Sequence, residues 1–231
     1  MVMLKQAGRS GEPAHSRLSA SRIEELLDAA AEVFFEQGFE GASVGEMARR
    51  ARASKGTYYS RYLTKEQLFG AVIQRVADRF SPPLAGLLLL DEDVATTLEK
   101  FGQRLLTLAL SPQAIQVQRV ISMEACRFPD LGWKFYEAGH GASTKLLANY
   151  LRKMTLAGRL SVPHPKIVAA QVIDALTGGV VHRAVLGVGK LSAKERHQRV
   201  HLAVEAFLRA YTIGPRVSLL RQRLRTAGAH R

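Results

Sequence analysis

The stretch ASKGTYYSRYLTKEQLF, residues 53–69, sets Tyr58, Tyr59 and Tyr62 among Lys55, Arg61 and Lys65, with Glu66 as its single acid. A short helix that merely covers a core has little use for so many hydroxyls and cations on its outer side. On a helix beginning near Lys55, Tyr58 and Tyr62 are four residues apart and share a face. With Leu63, Leu68 and Phe69 they can close a small core. Thr57, Ser60 and Arg61 then fall on the opposite side, Gly56 removes bulk beside them, and Lys55 and Tyr59 lie at the edges. Hydroxyls and a guanidinium near a helix N-terminus suit phosphates and base edges. Lys65 stands in the first turn of the next helix, where that helix's own dipole disfavours a cation; a bound phosphate would remove the conflict. Spacing alone leaves a second reading open, a solvated cationic face on an ordinary helical protein.

The flanking sequence fits the first reading. Ser21 with Glu24 predicts a capping box, and Ile23, Leu26, Leu27, Ala30, Val33 and Phe34 then recur at helical spacing. Gly38 predicts a left-handed stop with Phe39 folded back on the last turn. Ser43 with Glu46 opens a second helix to about Ala51, Ser54 caps a third, and Thr64 with Gln67 starts a fourth that runs to about Phe80. Two short helices joined at residues 52–54 and propped by a longer one have helix-turn-helix spacing. Beyond Ser81-Pro82-Pro83 the helices become longer and greasier. Helices are expected over 94–110, from Pro112 to about 127, from Pro129 to about Gly158, over 166–188, and over 193–211 with Ser192 as cap. The fold class is therefore all-α. Residues 1–18 read as a disordered arm, 19–66 as the helix-turn-helix domain, 67–211 as a larger helical domain, and 212–231 as a basic tail.

Net charge is +13, but its distribution says more than its sum. Residues 1–66 carry 10 basic and 9 acidic side chains, 67–182 carry 12 and 9, and 183–231 carry 11 and 2, so the excess lies near the C-terminus. Within the first segment, residues 47–65 hold six basic side chains and no acid. The absence of an apolar leader, of a long apolar run and of any cysteine beyond Cys126 predicts a cytoplasmic protein without disulfides. No Cys/His spacing suggests a metal, and neither a nucleophile–base motif nor a glycine-rich phosphate loop suggests an enzyme or a cofactor.

Residues 26–73, LLDAAAEVFFEQGFEGASVGEMARRARASKGTYYSRYLTKEQLFGAVI, resemble the N-terminal domain of TetR-type transcriptional regulators. The A-x-x-x-F-x-x-x-G-F-x-x-x-S-V-x-x-x-A run and S-K-G-T-x-Y…K-E-x-L match in order and spacing. The resemblance implies that the helix from Val44 to Ala51 supports while that from Lys55 to Arg61 enters the major groove. It also implies that Ser43, Lys55, Thr57, Tyr59 and Lys65 hold phosphates or reach bases. Tyr58 stands where the family usually has leucine, Ser60 and Arg61 where an aromatic and histidine are frequent, and Tyr62 where phenylalanine is. Arg61 would favour guanine if it reaches a base, and would otherwise anchor a phosphate. The DNA-binding set is thus Ser43, Lys55, Gly56, Thr57, Tyr59, Ser60, Arg61 and Lys65.

One recognition helix buries too little surface for strong specific binding, so two copies spaced about 34 Å apart are expected. The family resemblance places the pairing on the last two helices, with Leu176, Gly179, Val180, Val204, Phe207 and Leu208 at the interface. Between them and the reading head, RFPDLGWKFYEAG at 127–139 resembles the C-terminal region of AefR-like and efflux-associated TetR repressors. That similarity implies a hydrophobic or aromatic effector. Phe101, Leu105, Met123, Phe128, Trp133, Phe135 and Tyr136 are candidate walls for its pocket, and Glu124 and His182 candidate polar selectors, though each is equally at home in core or at the surface. The expected function is a ligand-responsive TetR-type regulator, a repressor by family expectation, that binds a palindromic operator as a homodimer. The alternative is an effector-independent regulator whose helical domain only dimerises or binds a protein partner.

Overall fold

The computed structural model describes residues 18–78, 81–89, 92–189 and 191–213. The arm over 1–17 and the tail beyond Ile213 lie outside the described residues, as does the expected helix end at Phe80. Among the described residues there is no strand, and an isolated bridge pairs Leu160 with Thr212. The all-α expectation holds.

Helix α1 (Ala20–Gly41) is capped by Ser19, whose hydroxyl accepts from the Arg22 amide. The predicted cap, Ser21, lies inside the first turn; the chain enters the helix two residues earlier because Ser19 already supplies the acceptor. At Gly38 the backbone turns to φ +71° and brings Phe39 back against the helix. Phe34, Phe39 and Phe69 meet with ring centroids 4.8 to 5.9 Å apart. Helices α2 (Val44–Arg50) and α3 (Lys55–Tyr59) start at Ser43 and Ser54 as expected, each hydroxyl accepting an amide three residues on. Helix α4 (Lys65–Asp78) then packs along α1, tied to it by Arg75, whose guanidinium reaches Glu24 and Asp28.

The turn between α2 and α3 places Arg52 at φ +47°, a left-handed conformation that costs a residue with a Cβ about 1 kcal/mol. Arg22 holds it, donating to the carbonyls of Ala51 and Arg52 at 2.8 and 3.0 Å.

Helices α5 (Ser81–Leu87), α6 (Val94–Ala109), α7 (Pro112–Glu124) and α8 (Pro129–Tyr136) follow. The short α5 was not anticipated, and α7 stops three residues before its predicted end. The single helix expected from Pro129 runs without a break to Leu156, and a π turn at Glu137–Gly141 lies between α8 and α9 (Ala142–Leu156). Helices α10 (Pro165–Leu186) and α11 (Ala193–Tyr211) complete the chain, the latter with a full Ser192–Glu195 capping box.

Two apolar cores result. The first joins Leu26, Phe34, Met47, Tyr58 and Phe69 of the N-terminal helices to Val117, Val120 and Ile121 of α7 and Leu131 of α8. It therefore does not stop at residue 66. Leu63, expected in it, is 75% exposed, because α3 ends at Tyr59 and the chain has already left the helical face. The second core lies among α6, α9, α10 and α11, built on Phe101, Leu106, Leu147, Leu151 and Ile173.

Candidate nucleic-acid interface and effector cavity

Helix α3 is held from below by one phenol. Tyr58 is buried, and its hydroxyl donates to the Leu26 carbonyl at 2.8 Å, with the Met47 carbonyl at 3.4 Å. Burial pushes its pKa up to about 12. With Tyr58 anchored, Lys55, Gly56, Tyr59, Ser60 and Arg61 are exposed and Thr57 is half-buried, its hydroxyl 3.0 Å from that of Ser54. The stem of Lys55 lies across Gly45, where an added Cβ would come within 2.8 Å of it. Ser43 is exposed at the start of α2. Lys55 thus brings α3 against the start of α2, and Lys65, half-buried, reaches the Ala42 carbonyl beside Ser43.

Lys65 is turned inward. Its ammonium donates to the carbonyl of Ala42 at 3.2 Å and lies near that of Glu40 at 3.4 Å, and it sits 4.6 Å from the centre of the Phe39 ring. The cation that looked misplaced at the start of α4 serves the C-terminal end of α1, where carbonyls are unpaired and the dipole is negative. A phosphate is not needed to resolve its position.

Arginines brace α2. Arg49 and Arg50 both donate to Glu46, and their hydrogen bonds hold its carboxyl down to about 2. Arg50 also reaches Glu36 on α1. Glu46 is therefore spent on these arginines rather than on closing the Ser43 box.

In the larger half a cavity of about 620 Å³ opens among α6, α7, α8, the π turn, α9 and α10. Of the predicted walls, Leu105, Phe135, Tyr136 and His182 line it. The others do not: Phe101 is buried in the second core, Phe128 packs edge-on to Phe39 at 4.8 Å, and Met123, Glu124 and Trp133 lie outside the lining. Sequence reasoning missed Gln118, Ser122, His140, Ser143 and Thr177, small or polar residues that a search for bulky aromatics passes over. Their signal was the spacing of Ala114, Gln118 and Ser122, four apart along α7. His140 gives Nε2–H to Asp174 at 2.9 Å, since a carboxylate only accepts, and its ring stacks on Tyr136 at 5.2 Å.

Helix α7 is common to both halves. Val117, Val120 and Ile121 enter the first core, Ala114, Gln118 and Ser122 line the cavity, and Arg119 donates to the carbonyls of Ala184 and Val185 at the end of α10.

The helices expected to pair are turned differently from the sequence expectation. Leu176, Val180, Val204 and Phe207 are buried within the protomer and Leu208 is partly buried against the same core, because α10 and α11 pack on α6 and α9 with their largest side chains. Gly179 is exposed, as are Ala175, Gly178, Leu202 and Ala206.

Among the described residues no helix is long and apolar enough to cross a membrane. Comparison with known proteins gives two family profiles: residues 26–72 match bacterial regulatory proteins of the tetR family, and residues 96–213 match the C-terminal domain of AefR-like transcriptional repressors. The chain is 27% identical to the HTH-type transcriptional regulator UidR of Escherichia coli K12 over 164 residues, 68% of this chain and 78% of that one. A crystal structure described as a TetR-family transcriptional regulator from Mesorhizobium loti MAFF303099 superposes with a TM-score of 0.79 at 27% identity, covering 84% of this chain and 98% of that one. The structure of the flavonoid-responsive regulator FrrA superposes at 0.69, also at 27% identity, with the same coverage. The reading head, the larger helical half and these matches together make the chain a member of the TetR family of transcriptional regulators, with a helix-turn-helix DNA-binding domain at its N-terminal end.

Proposed function

We propose that this regulator binds a palindromic operator as a homodimer and releases it when a hydrophobic or aromatic small molecule occupies the cavity, with repression as the output. The observation that carries the reading is the shared wall: α7 and α8 line the cavity and also contribute Val117, Val120, Ile121 and Leu131 to the core beneath the reading head. Anything that shifts those helices shifts α1 and α4 with them. Phe135 lies in both places, and Arg127, between α7 and α8, pairs with Glu40 and leans over Phe39 next to the start of α2. A similar protein is named as flavonoid-responsive, which supports an aromatic effector.

Ser43, Lys55, Gly56, Thr57, Tyr59, Ser60 and Arg61 are the proposed contacts to DNA, and the exposed faces of α10 and α11 the proposed dimer surface. A near-complete switch needs an effector that prefers the released state by about 10⁴-fold, or about 5.5 kcal/mol.

The test begins with duplexes selected from a randomised pool by the purified protein. They should be palindromic, with half-sites about one turn apart. Lys55→Ala should weaken binding to every sequence and lower the salt slope by about one. Titrating a flavonoid panel against the complex should release the duplex. Asymmetric selected sites would refute the dimeric reading, and a complex indifferent to every cavity ligand would leave an effector-independent regulator in its place.

A further inference from the structure

The lining of the cavity contains no lysine, arginine, aspartate or glutamate. An ion entering such a wall would lose its hydration with no lysine, arginine or carboxylate in the lining to receive it, which is unfavourable. Apart from His140 and His182, the polar side chains of the lining are the amide of Gln118 and the hydroxyls of Ser122, Ser143, Tyr136 and Thr177. The side chains of Gln118 and Ser122, one turn apart on α7, make no hydrogen bond to other protein groups among the described residues, so an amide donor, an amide acceptor and a hydroxyl are open at the wall.

On α8 and the π turn a series of rings leads into the lining. Trp133 stacks on Tyr136 at 5.6 Å and 28°, and Tyr136 on His140 at 5.2 Å and 18°. The series runs from Trp133, 64% exposed, to Tyr136 and His140 in the lining. Asp174 fixes the last ring by accepting from its Nε2–H. Near-parallel rings held in this way favour a flat partner, since offset stacking rewards planarity and a flexible aliphatic chain gains nothing comparable.

We infer that the effector is a neutral, planar aromatic molecule bearing at least one hydroxyl, packed against Tyr136 and His140 with the hydroxyl bonded to Gln118 and Ser122. This rests on the effector-cavity reading above and adds the chemical class and the residues that select it. The hydroxyl would bond to α7 itself, the helix that also enters the first core.

Four probes separate the possibilities: 2-naphthol, naphthalene, 2-naphthoate and 1-decanol, titrated by calorimetry into the full chain. Trp133 is the only tryptophan in the sequence, so its fluorescence reports occupancy beside Tyr136. 2-Naphthol should bind, quench Trp133, and bind at least about tenfold tighter than 2-naphthoate and 1-decanol. Gln118→Leu should weaken 2-naphthol several-fold and leave naphthalene unchanged. Tyr136→Leu should weaken both aromatic probes and spare 1-decanol, while Tyr136→Phe retains them. Trp133→Phe should abolish the optical signal with affinity preserved. No binding of 2-naphthol, equal or tighter binding of 2-naphthoate or 1-decanol, or indifference to Gln118→Leu or Tyr136→Leu would overturn the assignment. Operator release by 1-decanol alone would overturn the ligand class while leaving the ligand-responsive regulator standing.

Discussion

Tyr58 stands where the family resemblance led us to expect leucine, and its hydroxyl bonds α3 to α1 through the Leu26 carbonyl. Tyr58→Phe should cost about 1 kcal/mol at neutral pH, measured by urea unfolding. The buried neutral phenol has its pKa raised to about 12, above the ordinary tyrosine value of about 10. Its contribution is thus fully present below pH ~10 and lost as pH rises from there through about 12. The stability advantage of the wild type over Tyr58→Phe should shrink across that window; an advantage independent of pH would show that the phenol is not desolvated. At this scale the sequence was informative where one helix face decides the matter. Tyr58 and Tyr62 both reach the first core, as their spacing suggests, although α3 ends at Tyr59 and Tyr62 lies beyond it. The position of Lys65 did not follow from spacing, because its partners, the carbonyls of Glu40 and Ala42, precede it by more than twenty residues and carry no side-chain signature.

Several helix boundaries were legible where a hydroxyl marks the start: Ser43, Ser54, Ser111 and Ser192 cap α2, α3, α7 and α11 as expected, whereas Ser19 replaced Ser21 and the helix opening at Ser81 was not foreseen. Irregular turns within a helix were less legible. The π turn at Glu137–Gly141 has no proline, and its two glycines are ordinary enough in sequence that the pattern reads straight through them. Packing between helices leaves a sharper trace in one place. Gly102 lets α6 approach α11 and α10: an added Cβ would fall 2.8 Å from a methyl of Val200 and 3.4 Å from one of Leu176. Valine has little rotamer freedom to yield. Gly102→Ala should therefore destabilise by about 1–3 kcal/mol in spite of the better helix propensity of alanine. A variant as stable as wild type would mean that α6 and α11 can part at little cost.

For the molecule as a whole, the larger surface question is which side of α10 and α11 faces a second copy. Their bulky residues were read as interface because both a core and a dimer contact are apolar, and periodicity alone does not distinguish them. The structure assigns those residues to the protomer core and leaves Ala175, Gly179, Leu202 and Ala206 outside, with Gly178 in the cavity lining. If that face pairs, Leu202→Arg should yield a monomer by sedimentation, with an unchanged helical signal and operator affinity reduced by at least about a hundredfold. A dimer that survives the substitution would move the contact elsewhere. The cavity was legible only in part for a related reason. Bulky residues announce themselves, but a hollow is shaped as much by Ala114, Gly139 and Gly178, which announce nothing.

The π turn also fixes an angular phase. Each residue of an α-helix advances about 100° around its axis, so deleting one residue between Glu137 and Gly141 would let α8 run into α9 as a single regular rod. The widened turn already takes up that extra residue, so Trp133 and Tyr136 would keep nearly their present phase relative to the side chains that follow. A chain shortened by this one link should keep its helix content by circular dichroism and still show the shift in Trp133 fluorescence when an aromatic compound is added; loss of the shift would mean that the widened turn itself shapes the hollow.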